Sequence, residues 1–325
     1  MRTTNKYTLI LRKATDGFHS IENVFGCIAS ITSQDIIELP HESNGFLNRF
    51  LNIIWLRRNV NGPIHITGHD HYLLWFKFKY KAILTIHDVE SLNRKRGFKK
   101  YLFKLLWFDI PIRNADYVTT ISQASLDAIL SIRNYKTPIS VIANPIANDL
   151  KKIEKEFNDD RPRVLHIGTK LNKNIERTIL ALSSIKCKLI IIGPTIKEMD
   201  AWLGNFNQPF EIKENLTRVE LLKEYAKCDV LSFVSTVEGF GLPIIEAQAI
   251  GRVVITSNVS SMPEVAGKGA YLVDPYNVDD IAAAMLKILS DKSLRLSLIE
   301  NGYKNVKRFE VEQIIIEYSN IYSSL

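Results

Sequence analysis

Cysteine is scarce. Cys27, Cys187 and Cys228 are odd in number and far apart in a chain of 325 residues. They exclude a disulfide framework and a closely spaced zinc site, and they suit a reducing compartment. Long apolar runs are missing too, none approaching the roughly 20 residues that a membrane-spanning helix needs. Near the start, residues 7–11 form one short apolar stretch, too brief for a signal-peptide core, so a cytoplasmic chain is expected. There is no internal repeat or low-complexity tract, and no recognisable nucleic-acid-binding module. What remains is ordinary: 46% hydrophobic and 24% charged residues exclude a disordered chain, and the length suggests two domains.

Acidic residues are in short supply in one half only. Residues 1–150 hold 19 Lys and Arg against 12 Asp and Glu, whereas residues 151–325 hold 23 of each. The whole net charge of +7 therefore sits in the first half and implies an anionic partner there.

Short β-rich runs alternate with helical patterns throughout, which favours parallel sheets covered by helices. In the first half the pattern predicts strands at 7–12, 36–39, 64–67, 82–87, 117–120 and 139–142, with helices at 21–31, 46–58, 99–114 and 123–132. Ser20 and Ser122 are candidate N-caps. Residues 151–162 are mostly charged and read as a linker. A second alternating unit follows, with strands at 164–167, 188–192, 230–234 and 253–256. Its helices are expected at 175–184, 221–227, 243–250 and 278–290, and a last one at 311–322. The economical fold is α/β, two Rossmann-like halves: an N-terminal domain over 1–150, a linker over 151–162 and a second domain over 163–307.

The most informative segment runs from Ser235 to Glu246. A strand enters a loop bearing Gly239 and Gly241, and Pro243 opens the next helix. Glycines admit a ligand close to the backbone, and a helix N-terminus offers N–H groups and a positive dipole to an anion. Glu238 and Glu246 flank this position, and a carboxylate can accept two hydrogen bonds from vicinal hydroxyls. Phosphate chemistry between two hydroxyl-bearing ends describes a nucleotide sugar. Upstream, Gly168-Thr169-Lys170-Leu171-Asn172-Lys173-Asn174 repeats the order strand, glycine turn, helix. It sets Lys170 and Lys173 where a helix dipole disfavours cations and a bound diphosphate would favour them. Each motif alone also fits a plain surface turn; both lie at strand ends of one predicted sheet and can converge.

Glu238-x7-Glu246 with Gly239-Phe240-Gly241-Leu242-Pro243, then Gly251, Ser261-x-Pro263-Glu264 and Asp274-Pro275, resembles the retaining GT-B glycosyltransferases of family 4. The resemblance is specific over about residues 163–290. It implies the GT-B fold, two Rossmann-like domains whose parallel sheets face across a cleft, with the C-terminal helix at about 308–325 packing back on the first domain. It implies that Glu246 binds the nucleotide ribose, that Glu238 lies by the donor sugar, and that Lys173 meets the diphosphate. Gly168, Lys170, Asn174, Gly239, Phe240, Gly241 and Leu242 complete the implied donor site. The family's usual arginine after the glycine turn is Thr169 here, and Lys170 is the candidate substitute. His87, at the end of Ile83-Leu84-Thr85-Ile86-His87-Asp88, resembles the family's cleft histidine, with Asp88 able to orient it. His69 and His71, in a histidine-dense loop, are assigned to the acceptor side rather than to a metal, since these enzymes generally need none and no cofactor.

The implied activity is transfer of a sugar, with retention, from a UDP- or GDP-sugar to a glycan or lipid-linked acceptor in surface-polysaccharide assembly. Two other classes share these residues: another GT-B enzyme, such as a nucleotide-sugar epimerase or a phosphorylase, and a non-catalytic nucleotide-sugar-binding protein. Arg94, Lys95, Arg96, Lys99, Lys100 and Lys104 are interleaved with Tyr101, Phe103, Trp107 and Phe108. With Leu102, Leu105, Leu106 and Ile110 facing the core, this helix suits the surface of an anionic membrane, and the chain would be peripheral on its cytoplasmic face. A solvated helix face is the plainer alternative.

Overall fold

A computed structural model describes residues 6–13, 20–32 and 34–325. It has two compact units, Met1–Ala147 with Val311–Leu325, and Asn148–Glu310.

Unit 1 contains β1 (Thr8–Leu11), α1 (Ser20–Thr32), β2 (Asp35–Glu38), α2 (Phe46–Asn59), β3 (Ile64–Ile66), β4 (Ala82–Ile86), α3 (Glu90–Asn93), α4 (Gly97–Lys104), α5 (Ile110–Asn114), β5 (Tyr117–Thr120), α6 (Gln123–Ile132) and β6 (Ile139–Val141). All six strands are parallel, in the order β2-β1-β3-β4-β5-β6. β3 and β4 are buried along their whole length because a parallel strand covered on both faces has no solvent side. The C-terminal helix Val311–Ser324 belongs to this unit. Its Ile314, Tyr318, Ile321 and Tyr322 recur at helical spacing and are buried. The Tyr322 ring stacks on Tyr7 at 4.5 Å, and its hydroxyl bonds His65 Nδ1 at 2.8 Å. Ser122 caps α6 by accepting from the Ser125 N–H. The side chains of Ser20 and Ile21 lie outside the described residues.

The helix expected over 99–114 is broken. Between α4 and α5, Leu105–Asp109 forms a π turn. Two side chains account for it: Trp75 Nε1 donates to the Leu106 carbonyl at 2.8 Å, and His71 Nδ1 bonds the Trp107 carbonyl at 2.7 Å. Carbonyls drawn outward in this way leave the regular helix ladder, and one extra residue is absorbed. The rotation also corrects the expected core face. Leu102 is exposed at 43%, together with Phe98 and Tyr101, and α4 buries nothing.

Unit 2 contains β7 (Arg163–Ile167), α7 (Ile175–Leu182), β8 (Lys188–Ile192), α8 (Met199–Leu203), β9 (Phe210–Lys213), α9 (Arg218–Lys227), β10 (Val230–Phe233), α10 (Leu242–Ile250), β11 (Val253–Ser257), α11 (Met262–Ala266), β12 (Tyr271–Val273), α12 (Val278–Ser290) and α13 (Lys292–Val306). Its parallel strands run β12-β11-β10-β7-β8-β9. The order reverses between β7 and β10, so the loops leaving these two strands meet at the topological switch point, where open α/β sheets hold ligands. Residues 151–162 have no helix or strand, yet they are fastened to this unit. The Asn158 N–H donates to Asp229 at 3.1 Å, Lys155 pairs with the same carboxylate, and Arg295 bonds Asp159 at 2.8 Å and lies 4.1 Å over Phe157.

Five elements of unit 2 escape the sequence pattern, two of them, α8 and α11, helices of only five residues. β9 and β12 are short edge strands with little room for periodicity. The 15-residue α13 buries Arg295 and Asn305 beside Leu298 and Gly302, so no apolar stripe marks its inner face.

Candidate functional site

The loop after β7 is shaped by two left-handed residues, Gly168 (φ 94°) and Asn174 (φ 61°). Between them Leu171–Lys173 makes one 3-10 turn. A Cβ on Gly168 would stand 2.8 Å from Lys173 Cγ, so the lysine stem occupies the space that glycine leaves open. The stem then carries Nζ 4.9 Å over the Phe233 ring and 2.6 Å from Glu238 Oε1. Asn174 is buried, and its amide donates to the Val234 and Pro275 carbonyls at 3.0 and 2.7 Å. It fixes the loop rather than facing a ligand. Thr169 is buried too, its hydroxyl donating to the Pro194 carbonyl at 2.6 Å, while Lys170 points to solvent.

The loop after β10 is held from both sides. The Thr236 N–H donates to the Asn172 carbonyl at 2.8 Å, and Asn172 Nδ2 donates to the Val237 carbonyl at 3.0 Å. From the loop after β11, Ser260 Oγ donates to the Glu238 carbonyl at 2.8 Å, and Ser261 Oγ lies 2.7 Å from the Phe240 carbonyl. The Phe240 side chain is buried edge-on against Phe309 at 5.6 Å, so only its backbone can serve a ligand. Gly241 (φ 107°) then turns the chain into α10, whose first turn contains Pro243.

Glu246 lies inside α10 and is 13% exposed. Arg218 Nη1 donates to its Oε1 at 2.5 Å, and the buried Tyr225 hydroxyl donates to its Oε2 at 2.7 Å. The other edge of the Arg218 guanidinium bonds both oxygens of Asp149, at 2.9 and 3.0 Å. Two carboxylates hold the guanidinium charged and push its pKa further up. Glu238 and Glu246 thus each meet a cation, and the two loops converge through the Lys173–Glu238 pair, which the motifs by themselves do not specify. Arg218, Tyr225, Ser260 and Ser261 were not expected at the site. One signal was available for Arg218: a cation in the first turn of a helix opposes the dipole and calls for compensating acids.

In unit 1, His87 follows β4 and is buried. Its Nε2 lies 2.7 Å from the Thr67 carbonyl, which can only accept, so Nε2 carries the proton and Nδ1 is left as the acceptor. Burial and the neighbouring His69 push its pKa down to about 4, so the ring is neutral near pH 7. Asp88 does not orient it: its Oδ1 accepts the Glu90 N–H at 2.9 Å. His69 is exposed, its ring 5.6 Å from that of His87. His71 corrects the acceptor-side assignment, because it is 1% exposed and holds the π turn. Burial pushes its pKa down to about 3, as it does that of His65, which is bonded to Tyr322 and Thr85. Among the described residues, no three His, Cys, Asp or Glu side chains gather into a group that could hold a metal. The proposed membrane-facing cations are also not alike. Arg94 pairs with Glu90, Lys104 with the buried Asp109 at 2.9 Å, and Lys95 lies 4.6 Å over Phe103. Among the described residues no helix is long and apolar enough to cross a membrane.

Residues 148–305 match the family described as glycosyl transferases group 1. An uncharacterized glycosyltransferase of Methanocaldococcus jannaschii is 26% identical over 279 residues, 79% of this chain and 75% of that protein. The O-antigen chain mannosyltransferase B of Escherichia coli is 40% identical over 101 residues, 31% of this chain and 26% of its own length. Among solved structures, Anabaena Alr3699/HepE in complex with UDP-glucose superposes with a TM-score of 0.81 at 16% identity, covering 98% of this chain and all of that one. The fold is that of the GT-B enzymes.

Proposed function

We propose, for a chain whose second unit belongs to the glycosyl transferases group 1 family and which is a GT-B glycosyltransferase, a retaining transfer from a nucleoside-diphosphate sugar to a glycan or lipid-linked acceptor of a surface polysaccharide. The observation that carries this reading is the Lys173–Glu238 pair at the switch point of the second sheet. It sets a cation and a carboxylate side by side at the position where diphosphate and sugar would lie. Alr3699/HepE, of the same fold, was solved holding UDP-glucose, and one relative is an O-antigen mannosyltransferase. Both fit a nucleotide-sugar donor and a polysaccharide product.

In this reading Glu246 accepts from the ribose hydroxyls, Lys173 neutralises the diphosphate, and Glu238 turns to the donor sugar once the phosphate has claimed the lysine. Backbone N–H groups between Gly239 and Leu242 and the N-terminus of α10 contribute further positive potential. Gly168 leaves room for Lys173, and the exposed Lys170 is the second cation. His87 contacts substrate through its acceptor Nδ1. The bond from the anomeric carbon to the diphosphate oxygen breaks as the acceptor hydroxyl attacks from the same face. The hydroxyl proton passes to the leaving phosphate, so no side-chain base is required. Developing negative charge on that phosphate is what the protein stabilises, and Lys173 supplies the charge without a metal.

The test is a donor panel followed by product analysis. One UDP- or GDP-sugar should raise the melting temperature, transfer should persist in EDTA, and NMR should show the donor's anomeric configuration in the product. An inverted product would overturn retention, and complete loss in EDTA would overturn metal independence. We assign the exposed Phe98, Tyr101, Lys99 and Lys100 on α4, with Lys95 and Arg96 before it, to an anionic membrane surface. Neutralising Lys95, Arg96, Lys99 and Lys100 should reduce co-sedimentation with anionic vesicles; equal sedimentation would leave a solvated helix face.

A further inference from the structure

Arg218 is the charged partner of Glu246, and neither motif contains it. It occupies the first position of α9, where the helix dipole opposes a cation. The capping box of that helix is already complete through Thr217 and Glu220, so the arginine is not there to start the helix. Its guanidinium instead spans two carboxylates. One edge, Nε and Nη2, takes Asp149 bidentately, and Nη1 reaches across to Glu246. From the opposite side the Tyr225 hydroxyl holds the second Glu246 oxygen.

A carboxylate has about four acceptor positions, two on each oxygen. With one side-chain donor on each oxygen, Glu246 keeps acceptor capacity on each. That arrangement matches two vicinal hydroxyls. We propose that Arg218, anchored by Asp149, is a positioning residue that orients the Glu246 carboxylate for the two ribose hydroxyls and so sets the preference for ribonucleotides. The inference rests on the ribose role given to Glu246 above. It names a function for two residues, Arg218 and Asp149, that no part of that role requires.

The experiment compares UDP with 2′-deoxy-UDP, and GDP with 2′-deoxy-GDP, by calorimetry on the full chain. With the nucleotide that binds, the parent protein should prefer the ribo form by about tenfold, as expected for a lost hydrogen bond to a charged group. Arg218→Ala should bring that ratio to within about threefold of unity, chiefly by weakening the ribo form. Asp149→Asn, at a position 42% exposed where folding is not at stake, should lower the ratio in the same direction by less. Arg218→Lys keeps the charge but not the fork and should fall between parent and alanine. A merely structural role would weaken ribo and deoxy forms together, leaving the ratio unchanged; that result, or a ratio unchanged in both Arg218→Ala and Asp149→Asn, overturns the proposal alone. A parent protein that binds ribo and deoxy forms equally overturns the ribose role of Glu246, and the proposal with it.

Discussion

The two units present opposite chemistry at the ends of their parallel sheets. In unit 2 the candidate site side chains are charged, part-exposed and paired: Lys173 with Glu238, and Arg218 with Glu246 and Asp149. In unit 1 the histidines are neutral and buried: His65, His71 and His87 all have depressed pKa values. The difference teaches how each end meets a ligand. Under the proposed function, charges already paired within the protein are poised for exchange, because a diphosphate would replace Glu238 at Lys173 without a new cation having to be desolvated. Neutral buried rings, His71 and His87 fixed by backbone carbonyls and His65 by two hydroxyls, cannot exchange partners cheaply. The unit with the charged site carries a net charge of only +1, while the basic unit, at +6, has buried uncharged rings.

The sharpest way to break this comparison is to remove the cation of unit 2. Lys173→Ala should lower transfer or donor hydrolysis by about 10²–10³-fold, the scale of one lost transition-state charge contact. A turnover within threefold of the parent would show that the pair is only a loop clasp. Glu246→Ala should weaken nucleotide binding by about 10–100-fold, as for a lost hydrogen-bonded charge, with kcat less affected. Equal affinity for UDP and GDP in mutant and parent would remove it from the ribose.

Gly168→Ala sharpens the same contrast through space alone. The added methyl meets Lys173 Cγ at 2.8 Å on a backbone with φ of 94°, so the lysine stem must move and the loop is strained. The expected costs are about tenfold in turnover and about 1–2 kcal/mol in stability. Calorimetric melting together with steady-state rates separates them. A stability loss with unchanged turnover would mean that Lys173 Nζ does not need its present path.

Much of this was legible because the switch-point loops carry their geometry in residue types. Gly168 and Gly241 sit at positive φ, Pro243 lies in the first turn of α10, and the two loops converge, Lys173 meeting Glu238. Other parts were hidden for physical reasons. Arg218 and Tyr225 reach Glu246 from a helix 21 to 28 positions away in the chain, and nothing local in the Glu246 motif announces them. His71 reads as a polar loop residue until Trp107 is seen to need a donor for its carbonyl. The 99–114 stretch has a continuous helical pattern, and only side chains from residues 71 and 75 reveal that it must bulge. Leu102 then faces outward with Phe98 and Tyr101.

The histidines of unit 1 allow the last and smallest test, by pH. Each of His65, His71 and His87 has a folded pKa below its ordinary value of about 6.5, at about 3, 3 and 4. Between these values and 6.5 the unfolded chain binds protons that the folded unit refuses. Stability therefore rises with pH across this window and is lost as pH falls through it. Near pH 5 the loss should be on the order of 1–2 kcal/mol for each histidine, and it should fall mainly on unit 1, which holds three such rings, whereas unit 2 holds one, His166, whose pKa burial pushes down to about 4. Lowering the pH from 7.5 to 5 should thus separate two melting transitions, with the earlier one reported by the tryptophans of unit 1, Trp55, Trp75 and Trp107. His71→Gln removes one titrating group, and its melting curve should shift less between the two pH values than that of the parent. Should both transitions move together, or the variant respond to acid as the parent does, the acid sensitivity would have to come from other groups, His166 and the carboxylate pairs of unit 2 among them, and the contrast between charged and neutral ends would lose its consequence for stability.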